Sequence, residues 1–338
     1  MKAVRLYAAG DLRVEEIAAP AAPAEGEVRL AVTAAGICGS DLHNYRTGAW
    51  ISRSPSVAGH EFAGEVVAIG KGVTGLAVGD RVAADSRVTC GVCPACRGGR
   101  SNVCEKLGFV GEVCEGGFAE EVVLPASLVV KADPAVDAKA LAMAEPLAVA
   151  LHAVKRMSVT PGSAVLIAGC GPIGGLAALV LSARHDGPIL IADRNADRAR
   201  RVAGVTGATV VELTSEAVTA ARGDAPLLAV LDATGHAGVI ATLVDLVAPG
   251  GTLALVGIGH GSVSLDPVRL VEREVALVGC HAFTDELPEA VALMPSLEAQ
   301  LLALVDEVID LDAVPAAYER LLAGRSTGLK TIITPRSA

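Results

Sequence analysis

Ala164-Val165-Leu166-Ile167-Ala168-Gly169-Cys170-Gly171-Pro172-Ile173-Gly174 joins a solid apolar run to a G-x-G-x-x-G turn, and a Leu/Ala-rich run follows. A buried strand, a tight turn and a buried helix account for that order. Gly169 allows the turn, Gly171 lets backbone N–H groups approach a pyrophosphate at the positive helix end, and Gly174 lets helix and strand pack closely. Pro172 and Ile173 lie on the same candidate dinucleotide loop. The next strand ends at Asp193, 24 positions after Gly169, near the interval expected for a carboxylate that accepts hydrogen bonds from an adenosine ribose diol. Such a carboxylate favours NAD over NADP because it repels a ribose phosphate, and Arg194 and Arg198 nearby soften that choice. The plainer readings are an N-cap for Asp193, ahead of a helix beginning near Asn195, and a solvated helix face for the arginines.

Working outward, the stretch 163–183 carries no charge and approaches membrane-spanning length. Its glycines and proline interrupt it, and a β-branched run gives way to an Ala/Leu run, so a membrane helix is not expected. Further solid apolar runs at 189–192, 228–231, 252–256 and 275–278 alternate with helical segments. Strands apolar on both faces belong to a parallel sheet covered by helices, the doubly wound Rossmann arrangement. Upstream the texture differs: short alternating runs at 2–7, 28–33, 62–69, 81–84 and 118–124, broken by glycine, read as an antiparallel, barrel-like β unit. Beyond about residue 288 the chain reads as mostly helical and ends in a strand-like 330–333. At 338 residues, two domains are the default.

Cys90, Cys93, Cys96 and Cys104 form a C-x2-C-x2-C-x7-C run. Gly91, Pro94, Gly98 and Gly99 let the backbone turn tightly enough to bring four sulfurs around one ion. Zinc held by four thiolates has no position left for substrate and braces a fold. A disulfide pair, chance spacing and a zinc-ribbon contact for nucleic acid are the alternatives. The net charge of -10 and pI near 5.2 argue against a polyphosphate partner. No basic or lipidation motif and no signal peptide is apparent, so reduced thiols and a cytoplasmic location are expected. With 52% hydrophobic but only 2% aromatic residues, the core must be built from Ala, Val, Leu and Ile.

A second donor set is scattered through glycine-rich turns: Cys38 within Gly36-Ile37-Cys38-Gly39-Ser40-Asp41-Leu42-His43, and His60 within Gly59-His60-Glu61. A thiolate, an imidazole and a carboxylate hold zinc with one position open. Open zinc is a Lewis acid, which lets a bound alcohol lose its proton near neutral pH and then release hydride. Singly, Cys38 reads as a small buried hydrophobe and His60 as a core histidine; a dinucleotide fold in the same chain favours the ligand reading.

These motifs, together with Glu145-Pro146-Leu147, His152 and the glycine turn, occur in an order that resembles the zinc-dependent medium-chain alcohol and polyol dehydrogenases, particularly the sorbitol and L-idonate 5-dehydrogenase branch. The resemblance spans nearly the whole chain. It implies a GroES-like catalytic zinc-binding domain over 1–148 and 287–338, with a structural zinc lobe at 88–106 and an NAD-binding Rossmann domain over 149–286. By position it implies that Cys38 and His60 ligate catalytic zinc, with Glu61 or Glu145 completing the shell, and that Ser40 and His43 form a proton relay. Glu61 also reads as an outer charge or the partner of a nearby arginine. The resemblance further implies two zinc ions and one NAD per chain. Around the nicotinamide it suggests Val256, Gly257, Ile258, Cys280, His281 and Ala282, although Val256 and Ile258 also read as interior strand residues. A small-molecule substrate, neither nucleic acid nor membrane, and a homodimer or homotetramer are expected.

Two departures bear on the substrate. Ala282 stands where sorbitol-type enzymes carry arginine, and Asn44 where they carry tyrosine. Loss of the planar two-pronged donor weakens the case for a carboxylated substrate. Asn44, Tyr45, Trp50, Phe109 and Phe118 are candidate pocket residues. The expected reaction is NAD-dependent oxidation of a secondary alcohol in a small polyol. A threonine- or butanediol-type dehydrogenase and a non-catalytic cofactor-binding protein with structural zinc alone are the alternatives.

Overall fold

The computed structural model describes residues 1–259, 261–326 and 328–336. The chain divides into two compact units, one of Met1–Glu145 with Leu287–Ala338 and one of Pro146–Glu286.

In the first unit the long strand Glu27–Gly36 is the axis of a seven-stranded sheet. Its alternation of Val28, Leu30 and Val32, all essentially buried, sends apolar side chains to one face, as a period of two requires. Antiparallel partners flank it on both sides, Glu61–Ile69 and Lys330–Ile333, with Glu121–Pro125 along its first half. Phe62, Phe118, Val122, Leu124, Tyr318 and Ile333 fill the core beneath. The register is what builds a site. Gly36 pairs with both Glu61 and Ile332, so Cys38 and His60, just beyond two strands, and Lys330, the first residue of the third, all fall at the same end of three neighbouring strands.

Two details differ from the sequence expectation. Phe118 lies outside the strand Glu121–Pro125 and instead bridges Val4 and Ala58 through its backbone. The tail also holds a second strand, Val305–Ile309, parallel to Lys330–Ile333; two acids inside Val-Asp-Glu-Val-Ile hide its apolar pattern. The helix Glu286–Leu304 is the one helix among the described residues long and apolar enough to cross a membrane. Its stripe of Leu287, Ala290, Val291, Met294, Leu297, Leu301 and Leu304 is buried in this structure.

The second unit is a six-stranded, all-parallel sheet in the order Thr209–Val210, Ile189–Ala192, Ala164–Ala168, Leu227–Asp232, Thr252–Leu255, Ala276–Gly279. Numbered along the chain this is 3-2-1-4-5-6, the doubly wound order with its switch point between the first and fourth strands. All five residues of Ala164–Ala168 are buried, and Leu190, Val230, Leu243 and Leu253 extend that core. The uncharged 163–183 stretch is therefore a central strand followed by the helix Pro172–Arg184, as its glycines indicate.

Candidate functional site

Cys38, His60 and Glu61 each present a donor atom, and all three atoms lie within 4.8 Å of one another. Cys38 is the N-cap of the helix Gly39–Thr47, and its backbone N–H donates to Asp41 Oδ2 at 2.9 Å. The other oxygen of Asp41 lies 3.2 Å from His60 Nδ1. One carboxylate thus closes a capping box and fixes the imidazole, leaving Nε2 on the open side. Ser40 Oγ sits 3.4 Å from that Nε2. His43, one turn further along the same helix, packs on Trp50 with ring centroids 4.5 Å apart.

The turn ahead of His60 depends on Gly59, whose φ is +91° and whose added Cβ would stand 2.2 Å from the Phe118 ring. Glu61 forms a buried ion pair with Lys330, yet its Oε2 has no well-directed hydrogen bond, so it retains acceptor capacity for a cation. Burial lowers the affinity of His60 for a proton, but Asp41 and Cys38 outweigh it and hold the pKa well above its ordinary value. Converging anionic donors that stabilise a buried imidazolium also suit a divalent metal. Glu145 lies outside the three-donor group. Its Oε1 accepts from Ser86 Oγ at 2.6 Å, and burial, reinforced by Glu61 and opposed by His60, raises its carboxyl to about 7.

The four cysteines of the lobe also bring their sulfurs within 4.8 Å of one another, and all are free thiols. The short helix Pro94–Arg97 starts at Cys93, whose Sγ accepts from the Cys96 N–H at 3.5 Å, while Cys104 Sγ accepts from Cys90 and Lys106 at 3.3 Å. The backbone N–H of Cys96 is the largest influence that lowers the Cys93 thiol to about 6. Thiolates held by amides in this way fit a closed tetrahedral metal.

In the second unit Gly169 has φ +96°, and a Cβ on Gly174 would lie 1.8 Å from Gly169 O. The helix Pro172–Arg184 begins at Gly171 with no side-chain cap, and nothing lies within 4 Å of where a Gly171 Cβ would point. Its first N–H groups are thereby left for an anion. Asp193 accepts from Cys170 N and Asn195 N, each at 2.7 Å. The N-cap of the following helix is Asn195, not Asp193. Arg198 approaches Asp193 to 3.8 Å, and Arg194 is exposed.

Val256 and Gly257 both donate to Asp232 O, and Ile258 is 68% exposed, so it is not an interior strand residue. Cys280 N donates to Leu255 O; His281 is exposed, and Ala282 takes φ +48°. All of these follow the C-terminal ends of parallel strands, the side on which Gly169 lies. Asp232 had no role in the sequence reading. Fully buried, it accepts from Thr234 N and Gly235 N and shapes the turn packed against Gly169.

Among the proposed pocket residues, Phe118 is core and packs against Gly59. Tyr45 packs edge-on against Tyr318 and donates to Glu319 at 2.7 Å. Asn44 is buried, its Oδ1 accepting from Trp50 N at 3.0 Å. Phe109 does flank a metal donor, its ring 6.4 Å from that of His60, whereas Trp50 packs on His43. Sequence reading gave Asp41 no role and did not reach Lys330. Asp41 follows Cys38 at capping-box spacing, which is a local signal; Lys330 has none.

A metal-binding barrel-like unit joined to a dinucleotide-binding sheet defines a class of oxidoreductase. Residues 24–134 match the alcohol dehydrogenase GroES-like domain, and residues 136–334 match the glucose dehydrogenase C-terminus. L-galactonate-5-dehydrogenase of Escherichia coli (strain K12) is 32% identical over 92% of this chain and 93% of its own length. Sorbitol dehydrogenase of Bacillus subtilis (strain 168) is 28% identical over 99% and 97%. Among solved structures, one from E. coli CFT073, described as a short chain alcohol dehydrogenase complexed with NADH, superposes with TM-score 0.90 at 29% identity, covering 99% of each chain. The chain belongs to the zinc-dependent medium-chain alcohol and polyol dehydrogenase family.

Proposed function

We propose that the chain oxidises a secondary alcohol of a small polyol to a ketone, with NAD as acceptor, and carries two zinc ions. The convergence of Cys38, His60 and Glu61 carries this reading. Bound zinc would polarise the alcohol oxygen and bound NAD would accept the hydride.

Cys38, His60 and Glu61 hold the metal in this reading, while Asp41 keeps the imidazole in one tautomer and Lys330 offsets the charge of Glu61. Ser40 and His43, one helical turn apart, take the alcohol proton outward. Glu145, buried and raised to about 7, is suited to bind or release a proton beside the metal. Gly169, Gly171, Pro172, Ile173 and Gly174 cradle the pyrophosphate, and Asp193 receives the ribose diol with lone pairs left by its backbone partners. Arg194 and Arg198 border that ribose. Val256, Gly257, Ile258, Cys280, His281 and Ala282 wall the nicotinamide half. The units correspond to a catalytic domain and an NAD-binding domain.

Among the described residues the edge strand Ala276–Gly279 pairs only with Thr252–Leu255, and Leu277, Val268 and Val271 are exposed; such an edge supports a homodimer or homotetramer. Four clustered thiols fit a reducing, cytoplasmic setting.

The test combines metal analysis with turnover. Wild type is expected to hold two zinc ions and to reduce NAD, and NADP more slowly, with sugar alcohols or diols. Cys38→Ser is expected to lose one ion and about a thousandfold or more in kcat with an unchanged fold. Full activity in that variant would overturn the proposal, and one ion confined to the cysteine lobe of wild type would favour a binding protein.

A further inference from the structure

Asp232 is a fully buried carboxylate that the proposed reaction leaves without a task. It ends the fourth strand of the parallel sheet, paired with Ala168 on one side and Leu255 on the other. Its Oδ1 accepts from Thr234 N at 3.1 Å and Thr234 Oγ1 at 2.5 Å, and its Oδ2 accepts from Gly235 N at 3.0 Å. Among the described residues no basic side chain pairs with it. Burying a carboxylate is costly, and here the amides and hydroxyl of one short turn offset that cost.

That turn is wedged between two segments of the cofactor seat. On one side Ala233 N donates to Ala168 O at 2.8 Å, and a Cβ on Gly169 would stand 3.0 Å from both Ala233 C and Thr234 Cγ2. On the other side Asp232 O accepts from Val256 N at 2.9 Å and Gly257 N at 3.1 Å. A Cβ on Gly257 would lie 2.2 Å from Gly235 N, and one on Gly259 would lie 1.7 Å from Gly235 O. The turn thus meets backbone on both flanks, with little side chain between to absorb a shift. Displacing it moves the Gly169 turn relative to 256–259.

Resting on the cofactor seat proposed above, we propose that Asp232 is a positioning residue for NAD: its carboxylate fixes the turn 233–235 as a spacer that sets the distance between the pyrophosphate turn and the nicotinamide wall. A dinucleotide spans both and needs that distance. A ligand that fills only the adenosine and pyrophosphate end does not. Asparagine cannot replace the carboxylate, because its single acceptor oxygen would leave the amide nitrogen facing an N–H.

The experiment measures dissociation constants for NADH and for ADP-ribose by calorimetry on the zinc-loaded full chain. Wild type, Asp232→Asn, Thr234→Val and Thr234→Ser are compared, each checked for zinc content and far-UV signature. Asp232→Asn is expected to weaken NADH about tenfold or more and ADP-ribose less than about threefold, with zinc content unchanged. Thr234→Val removes one donor to the carboxylate but keeps the shape, and is expected to move the ratio the same way by a smaller factor. Thr234→Ser keeps the hydroxyl and is expected to hold the wild-type ratio. A purely structural role would weaken both ligands alike or neither, so an unchanged NADH-to-ADP-ribose ratio in folded Asp232→Asn would overturn this assignment alone. Should that variant not fold, the ratio in Thr234→Val decides in its place. Wild type that binds no NADH would overturn the cofactor seat and this assignment with it.

Discussion

Asp41 shows how much one side chain can determine. It terminates a helix with one oxygen and aims an imidazole with the other, so the position of Cys38 and the orientation of His60 are coupled through a single carboxylate. Asp41→Asn keeps the shape but loses the charge. Zinc affinity at the open site is expected to fall about 10–100-fold, read by competition with a chelator, while the four-cysteine site is unaffected. Cys38, His60 and Glu61 were legible because each stands in a glycine-rich turn of recognisable chemistry. Lys330 was not. Its pairing with Glu61 follows from strand register across most of the chain, and no local pattern encodes that.

Strand ends and turns carry the next level. Gly59 must hold a left-handed conformation directly against Phe118, so Gly59→Ala adds both backbone strain and a steric clash. Stability to urea is expected to fall by about 2 kcal/mol or more, with open-site zinc weakened as His60 shifts. At the last residue of the second unit, Glu286, which opens the helix Glu286–Leu304, the carboxylate accepts from His152 Nδ1 and from Thr284 N. Burial pushes Glu286 up, but these partners and Lys155 outweigh it and bring the carboxyl to about 2. A depressed pKa contributes stability above the unfolded value near 4.5 that is lost as pH falls toward 2. Glu286→Gln is expected to be less stable than wild type above pH 4.5, and the two stability curves to converge toward pH 2 in denaturant titrations. His152 stood in the sequence as an unassigned motif residue, and its structural role is to hold this carboxylate.

At the scale of the molecule, each unit has its own core and its own sheet. The parallel sheet needed little inference, since five solid apolar runs in alternation with helices have few other solutions. The β unit was less legible: the strands Asp11–Glu16, Ser56–Val57, Arg87–Val88, Gly108–Phe109 and Val129–Lys131 are short or carry no clear alternation, and their pairing is set by partners distant in sequence. The exposed edge Ala276–Gly279, with Leu277 and Val271 beside it, belongs to this scale too. Leu277→Lys combined with Val271→Glu is expected to shift the wild-type oligomer toward monomer in sedimentation, with the far-UV spectrum preserved. A wild-type monomer would remove the basis for that expectation.

From the linear chain alone came the kinds of chemistry present: a glycine turn after a buried strand, four cysteines at metal spacing, and a thiol, imidazole and carboxylate in turns. Local pattern and residue type suffice for these because each motif is a short-range solution to a short-range demand. Tertiary structure decided which donors converge. It set Glu61 rather than Glu145 beside Cys38 and His60 and put Lys330 against Glu61. These contacts depend on register and loop packing between segments far apart in the sequence, where a shift of one residue would turn every side chain to the opposite face.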